Sequence, residues 1–205
     1  MGFYDNYILP KAVHWICNQK PFDYQRKKVV PMASGRVLEI GIGSGLNLPF
    51  YDPDKVEHIW GLEPSKKMQD MAQKKIGACQ INVTFIGLSG EEIPLEKNDA
   101  DSIVVTYTLC TISEVLNALN EMRRVLKPGG RLIFSEHGKA PDKNIRKWQN
   151  RLNPVWSYFG GGCQLNRDIP NTIKDGGFKI ETMDTMYIPG FKPASFNYWG
   201  TAVQN

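Results

Sequence analysis

Short apolar runs alternate with longer amphipathic stretches from residue 36 to the end of the chain. The apolar runs have the length of buried strands, and the stretches between them carry apolar residues at helical spacing. We predict seven strands, at residues 37–40, 58–62, 83–87, 101–106, 131–136, 178–183 and 196–203. Strands that alternate with helices are typical of an α/β fold, a doubly wound and mostly parallel sheet with helices on both faces.

Local signals place the helices between these strands. Ser65 is a natural N-cap, and the residues after it present one apolar face that includes Met68. A second helix carries apolar residues at helical spacing over 115–126 and is predicted to stop at the Lys-Pro-Gly-Gly sequence 127–130, which turns into the fifth strand. Only a loop separates the last two strands, so we expect an antiparallel strand to complete the sheet.

Two segments depart from this rhythm. In residues 1–34, apolar side chains such as Trp15 stand among lysines and arginines, which predicts one or two short amphipathic helices. They form either a helical cap on the sheet or pocket, or an element that touches a membrane surface. The second segment, 138–170, follows the fifth strand and is rich in aromatic residues and glycine. We expect it to be an insertion that covers a pocket, the alternative being a helix packed on the outer face of the sheet.

Composition restricts the function classes. A chain of 205 residues with 41% hydrophobic and 22% charged residues is typical of one soluble globular domain. The net charge of +4 is too small to indicate nucleic-acid binding. No secretory signal or membrane-spanning run is evident, so we expect a cytoplasmic protein. Cys17, Cys79, Cys110 and Cys163 are scattered without metal-ligand pairing, so we expect reduced thiols and no metal.

The most informative motif is the glycine-rich turn after the first predicted strand. Gly41, Gly43 and Gly45 form the pattern G-x-G-x-G, which Glu39 precedes. A dinucleotide site needs G-x-G-x-x-G, whose third glycine would fall at Leu46. In a doubly wound sheet such a turn lies at the carboxyl end of the first strand, where nucleotides bind.

Further polar groups follow the next strands. Glu63 ends the second strand, where an acid can accept two hydrogen bonds from a ribose diol, or can simply favour the start of a helix. The third strand leads into a Gly-Leu-Ser-Gly-Glu-Glu-Ile-Pro sequence at 87–94, and the fourth ends at Thr106 and Tyr107.

These features, in this order, together with 124–130, resemble the class I S-adenosylmethionine-dependent methyltransferases over roughly half the chain. The resemblance implies the Rossmann-like fold of that class, with six parallel strands and one antiparallel strand, and S-adenosylmethionine as cofactor. It implies one domain over 1–205, with a cofactor-binding core at 35–137, the acceptor-site insertion at 138–170 and the C-terminal strands at 171–205. It also implies the following contacts: Glu39, Gly41, Gly43, Gly45 and Asn47 for the methionine part; Glu63 and Pro64 for the ribose; Ser89, Gly90 and Glu91 for adenine; and Thr106, Tyr107 and Cys110 beside the methyl group. Ser89 stands where the family pattern has Asp.

Residues 108–112, 135–138 and 161–167 are similar to the methyltransferase-like proteins that methylate alkyl thiols and to their soluble bacterial relatives. The match runs from about Arg36 to the C-terminus and departs at the N-terminus, where the vertebrate proteins carry a hydrophobic anchor. It implies a small, apolar acceptor, with a thiol as one candidate. Lipid or quinone methyltransferases that work at a membrane surface are the alternative, and a non-catalytic module that binds S-adenosylmethionine is another.

The acceptor chemistry indicates few residues. His137 can take the proton of a thiol as a general base, or can hold the following loop by a hydrogen bond. With Tyr107 it is our candidate catalytic residue. Asn166 and Arg167 either orient Glu136 or His137 or anchor the insertion, and we expect anchoring. Aromatic residues form an apolar wall or an ordinary core, and they include Trp148, Trp156 and Tyr158. Residues 106–109 lack the Asn/Asp-Pro-Pro-aromatic run that orients a base amine, so methylation of nucleic acid is not expected. Oligomeric state is left open.

Overall fold

The computed structural model describes residues 4–77 and 79–205. They form a single sheet of seven strands, which has the order β3-β2-β1-β4-β5-β7-β6. The strands are β1 (Gly35–Ile40), β2 (Val56–Leu62), β3 (Asn82–Ile86), β4 (Ala100–Thr106), β5 (Leu126–His137), β6 (Phe178–Tyr187) and β7 (Phe196–Gln204). Only β7 runs antiparallel to its neighbours, β5 and β6. The predicted fold, with six parallel strands and one antiparallel strand, is confirmed.

Six α-helices lie in the described residues. They are α1 (Leu9–Cys17), α2 (Lys20–Val29), α3 (Lys66–Ile76), α4 (Val115–Val125), α5 (Lys143–Phe159) and α6 (Ile169–Asp175). The Ser65 hydroxyl caps α3 by accepting from the Met68 amide at 3.4 Å, as its position predicted. None of these helices has the length and apolar character that crossing a membrane requires.

The core lies on both faces of the sheet, because neighbouring residues of a strand point to opposite sides. On one face Leu38, Val105 and Phe134 pack with the apolar sides of α4 and α6. On the other face Val37 and Val104 pack with residues from the end of α2. Both faces are therefore covered, as a doubly wound sheet requires.

The fifth strand begins earlier than predicted. Leu126 already pairs with Ala100, directly after α4 ends, and regular pairing continues at Arg131 opposite Ser102. Residues 127–130 are therefore an irregularity within β5 instead of a turn that precedes it. Leu126 is fully buried, and its burial draws the chain into the sheet before the Pro-Gly-Gly sequence.

The N-terminal segment forms the two helices α1 and α2, preceded by a π-helical turn at Tyr4–Ile8. Residues 1–3 of the predicted cap lie outside the described residues. The ring Nδ1 of His14 lies 2.6 Å from the hydroxyl of Ser44, which attaches α1 to the glycine-rich turn. The helices thus form a cap over the carboxyl ends of the strands, while Trp15 and Tyr24 remain largely exposed.

Candidate functional site

The strand order reverses between β1 and β4, and ligands of doubly wound sheets bind at the carboxyl end of such a switch point. Gly41 follows β1, Glu63 follows β2, Tyr107 follows β4, and His137 is the last residue of β5. Because these strands are parallel, all four residues lie at the same edge of the sheet. Four residues that the sequence analysis selected after different strands therefore lie at one edge of the sheet, and their roles there stay a prediction.

The turn after β1 has a backbone that favours glycine. Gly41, Gly43 and Gly45 have φ angles of +69°, +56° and +70°, in the left-handed region where a Cβ is strained. A Cβ on Gly41 would also collide with the side chain of Thr108. Gly45 packs against neighbouring side chains, so it shapes the turn without lining the cavities described below.

Glu63 attaches this turn to the end of β2. Its Oε2 accepts a hydrogen bond from the amide of Gly43 at 3.1 Å, and its Oε1 accepts one from the amide of Ser65 at 2.8 Å. Burial raises the pKa of Glu63, and the two backbone hydrogen bonds partly offset that effect. Each carboxylate oxygen keeps a further lone pair for a ligand hydroxyl.

Three adjoining cavities open at this edge of the sheet. The first, the Glu63 cavity, has a volume of about 380 Å³. Glu63 and Pro64 line it together with all three residues predicted to contact adenine, Ser89, Gly90 and Glu91. Its other walls include residues of α1 and of the insertion, among them Leu9, Pro10, Gly160 and Gly161.

The second, the glycine-loop cavity, has a volume of about 70 Å³ and lies over the turn itself. Glu39, Gly43, Asn47 and Thr106, four of the residues that the resemblance implies as cofactor contacts, line it, and so does Arg26, which the sequence analysis missed. Arg26 stands in a lysine-rich helix and carries no sequence signal that separates it from the exposed lysines. The structure buries it to 3% exposure.

A buried hydrogen-bond network joins these residues. The Asn47 amide donates to Glu39 Oε1 at 2.9 Å and to the Thr106 hydroxyl at 3.0 Å, and it accepts from Arg26 Nε at 3.1 Å. Tyr51, a second residue that was missed, donates to Glu39 Oε2 at 2.7 Å. Burial raises the pKa of Glu39 to about 7, against the effect of Tyr51, Asn47 and Arg26.

The third, the aromatic cavity, has a volume of about 440 Å³. Its walls are mostly apolar and come from the cap, the insertion and the loop before β7, including Trp15, Phe22, Trp156 and Phe191. The predicted aromatic wall is correct only for Trp156. Trp148 and Tyr158 are 53% and 80% exposed and belong to other surfaces, because they lie on other faces of α5.

Tyr107 lines all three cavities, as does Val13 of the cap. The φ angle of Tyr107, +54°, turns the chain sharply at the end of β4. The Tyr107 hydroxyl donates to Asn197 Oδ1 at 2.7 Å, and its ring meets the Phe22 ring edge-on at 4.9 Å. Burial raises the pKa of Tyr107 well above its usual range, so its hydroxyl stays protonated at neutral pH.

Three side chains with soft or nitrogen donor atoms meet in the aromatic cavity. His137 Nε2 lies 3.1 Å from Cys163 Sγ, and Cys163 Sγ lies 3.8 Å from Cys110 Sγ. The hydrogen bond to Cys110 and burial raise the pKa of Cys163. Burial lowers the pKa of His137, but Cys163 and the Glu136 carboxylate raise it by more, so the pKa of His137 is raised overall.

Glu136 and Arg167 hold the loop that carries Cys110. The Glu136 carboxylate is fully buried and accepts from the amides of Thr108 and Leu109 at 2.7 and 3.0 Å. Arg167 donates to the carbonyls of Leu109 and Ile112. Asn166 donates to Asn150 within the insertion. Arg167 therefore anchors the insertion to the loop after β4, which is the role that we expected, whereas Asn166 makes its bond within the insertion.

Comparison with known proteins agrees with this geometry. A family model described as a methyltransferase domain matches residues 38–134. The chain is 29% identical over 204 residues to the thiol S-methyltransferase TMT1B of Homo sapiens, covering 96% of this chain and 83% of that protein. It is 33% identical over 175 residues to TMT1B of Rattus norvegicus, covering 82% and 70%. A crystal structure of a SAM-dependent methyltransferase from Thermotoga maritima superposes with a TM-score of 0.68 at 19% identity and covers 98% of each chain, which shows a common fold.

Proposed function

Because this chain belongs to the class I S-adenosylmethionine-dependent methyltransferases, we propose that it transfers a methyl group to the sulfur of a small, apolar thiol. The cofactor class follows from the family, whereas the acceptor is our proposal. The observation that carries it is the aromatic cavity, which adjoins the cofactor region through Tyr107 and Val13 and has cysteine and histidine side chains in its wall.

The residues present fit the cofactor. A Cβ on Gly43 would approach Glu63 Oε2 at 4.0 Å and Met68 Cε at 3.5 Å, so its absence leaves room for a ligand against the turn. Glu63, with one free lone pair on each oxygen, suits a ribose diol. Ser89, Gly90 and Glu91 border the part of the Glu63 cavity assigned to adenine.

The glycine-loop cavity suits the methionine end. Gly43 lines this cavity, Gly41 lines the adjoining Glu63 cavity, and Asn47 with Glu39 holds the loop in place through the buried network. Arg26 adds a positive charge near a carboxylate-binding position. Cys110 and Thr106 lie at the border with the acceptor.

When bound, S-adenosylmethionine supplies an electrophilic methyl group on a sulfonium. The chain must then align the acceptor sulfur for in-line displacement, which accounts for much of the rate of such reactions. The apolar walls of the aromatic cavity exclude water and favour an apolar acceptor. We propose that Tyr107 positions the acceptor and the methyl group. We propose that the cluster of His137, Cys110 and Cys163 helps to remove the proton of the acceptor thiol.

The test combines binding and turnover on the same sample. We expect S-adenosylhomocysteine to bind in calorimetric titration and a panel of small alkyl thiols to be methylated, as followed by mass spectrometry. We expect His137→Ala to keep binding of S-adenosylhomocysteine within about threefold and to lose thiol methylation at least tenfold, because His137 lines the acceptor side only. His58→Ala, on β2, is the matched control and should retain both.

Binding without turnover on any thiol would contradict the acceptor proposal. Turnover on quinones or lipid amines in the same assay would then assign the chain to the alternative class. A His137→Ala variant with full thiol turnover would remove His137 from the chemistry.

A further inference from the structure

The side chains of Cys110, His137 and Cys163 converge although the sequence separates them widely. Cys110 and Cys163 are 53 positions apart, and His137 and Cys163 are 26 apart. The loop after β4, the end of β5 and the loop after α5 each supply one of them. Sγ of each cysteine and one ring nitrogen of the histidine all lie within 4.8 Å of one another.

We propose that these three residues bind a zinc ion whose fourth position is open to the acceptor thiol. The inference rests on the proposed thiol methylation and names how that thiol is activated. It departs from the expectation of a metal-free protein, because that expectation used only the spacing of cysteines along the chain.

Two of the three donor distances lie close to those of tetrahedral zinc, and the third, between Cys110 Sγ and the His137 ring, is within 4.8 Å. With Zn–S bonds of about 2.3 Å and Zn–N bonds of about 2.0 Å, tetrahedral angles place two sulfurs about 3.8 Å apart and a sulfur and a nitrogen about 3.5 Å apart. The Cys110 and Cys163 sulfurs lie 3.8 Å apart. Cys163 Sγ and His137 Nε2 lie 3.1 Å apart, so binding an ion requires them to separate by only a few tenths of an ångström.

The donor set also fits a catalytic site. Two cysteines and one histidine constitute a ligand set of catalytic zinc, in which water or substrate takes the fourth position. All three residues line the aromatic cavity, so a fourth ligand would come from that side. The indole N–H of Trp156 donates to Cys163 Sγ at 3.3 Å, and such a donor stabilises a thiolate ligand.

Bound zinc would lower the pKa of the acceptor thiol, so that the thiol loses its proton at neutral pH. A free thiol has a pKa of about 8.5 and is mostly protonated at neutral pH, whereas a thiol that coordinates zinc is deprotonated. The acceptor thiol replaces the zinc-bound water and releases its proton to solvent. Its sulfur lone pair forms a bond to the methyl carbon while the bond from that carbon to the sulfonium sulfur breaks, and the electron pair stays on the latter. The neutral thioether is a weak ligand, so water replaces it. His137 then acts as a ligand instead of a base.

The first measurement is metal binding by the full-length protein. After removal of metal with a chelator under reducing conditions, we expect one zinc ion to bind per chain. Substituted cobalt(II) should show the intense visible bands of tetrahedral coordination and the near-ultraviolet band of thiolate ligands. Cys163→Ala should weaken zinc binding at least a hundredfold, whereas Cys79→Ala should bind like the wild type. Circular dichroism and S-adenosylhomocysteine titration will show whether Cys163→Ala is folded, and His137→Gln provides a second ligand variant.

The second measurement adds an alkanethiol to the cobalt-loaded protein. We expect the thiolate band to grow as the thiol takes the fourth position. The proposal is overturned if wild-type protein binds no zinc at micromolar concentration, if Cys163→Ala binds it equally well, or if Cys110 and Cys163 only form a disulfide. Full thiol methylation by metal-free protein would overturn the role of zinc while keeping the proposed function. Zinc binding through these residues without methylation of any thiol would keep the metal site and reject the acceptor.

Discussion

The hydroxyl of Tyr107 donates a hydrogen bond to Oδ1 of Asn197, 90 residues later in the chain, over 2.7 Å. This bond connects the end of β4 to the start of the antiparallel strand β7. It fixes a ring that stands where the three cavities meet. Asn197 is fully buried, so if the Tyr107 hydroxyl were removed, water could not easily replace it as the hydrogen-bond partner of Asn197 Oδ1.

Tyr107→Phe therefore tests positioning by a single atom. The change keeps the ring and its contact with Phe22 but leaves Asn197 Oδ1 unsatisfied, at a cost of about 1 to 3 kcal/mol in unfolding free energy. We expect kcat for methyl transfer to fall about tenfold while the affinity for S-adenosylhomocysteine changes less than threefold. Tyr187→Phe, which loses only its hydrogen bond to Asp142, is the matched control. Wild-type kcat in Tyr107→Phe would show that the hydroxyl does not position the ring for catalysis.

The hydrophobic pattern predicted the strands of the sheet well, because a buried strand is a short run of apolar residues that can be recognised locally in the sequence. It also indicated that Gly41, Glu63 and Tyr107 lie at one edge of the sheet, since each directly follows a strand that ends there. It missed Arg26, which reaches the site from α2 and has a residue type that is common on surfaces. It also missed Tyr51, which lies close after the glycine-rich turn but outside the residues of the motif. It misjudged Trp148 and Tyr158 for a different reason: a helix with several aromatic residues does not reveal which of its faces turns toward a pocket.

The pKa of Glu39 predicts how stability depends on pH. Burial raises the pKa of Glu39 from 4.5 to about 7 in the folded protein. The folded state thus holds the proton more tightly than the unfolded state. The stability contributed in this way is fully present below about pH 4.5 and is lost as pH rises through 7.

We expect Glu39→Gln, which cannot ionise, to lose less stability than the wild type between pH 5 and 8. The difference between wild type and Glu39→Gln in the unfolding free energy lost should grow with pH toward about 3 kcal/mol, which corresponds to a pKa shift from 4.5 to about 7. Urea unfolding at several pH values measures it, and Glu57→Gln, at an exposed position of β2, is the control. Parallel stability profiles for wild type and Glu39→Gln would contradict a raised pKa.

Comparing Gly41→Ala with Gly129→Ala separates the effect of backbone strain from that of a steric clash between the new Cβ and its neighbours. Both glycines have a left-handed φ, +69° and +79°, so alanine costs about 1 kcal/mol or more at each. A Cβ at position 129 meets nothing within 4 Å, whereas at position 41 it comes within 2.6 Å of Thr108 Cγ2.

We expect Gly129→Ala to lower the melting temperature slightly and keep cofactor affinity. Gly41→Ala should weaken binding of S-adenosylhomocysteine at least tenfold, because the turn and Thr108 must both shift. Calorimetric titration at a temperature where both variants are folded measures the difference. Equal affinities for the two variants would mean that the turn tolerates displacement.

The contact of His14 with Ser44 predicts that the cap slows release of the cofactor. Burial, and to a lesser degree the charge of Lys75, lower the pKa of His14, so the ring is neutral at pH 7 and its hydrogen bond to Ser44 needs no charge. His14→Ala should remove a net contribution of about 1 kcal/mol and speed dissociation of S-adenosylhomocysteine about fivefold. Stopped-flow displacement measures that rate, with His58→Ala as control. Ser44→Ala should have a similar effect, and the double variant should be no worse than either single one, because both remove the same bond. Additive effects would show that His14 and Ser44 act separately and that α1 is held by other contacts.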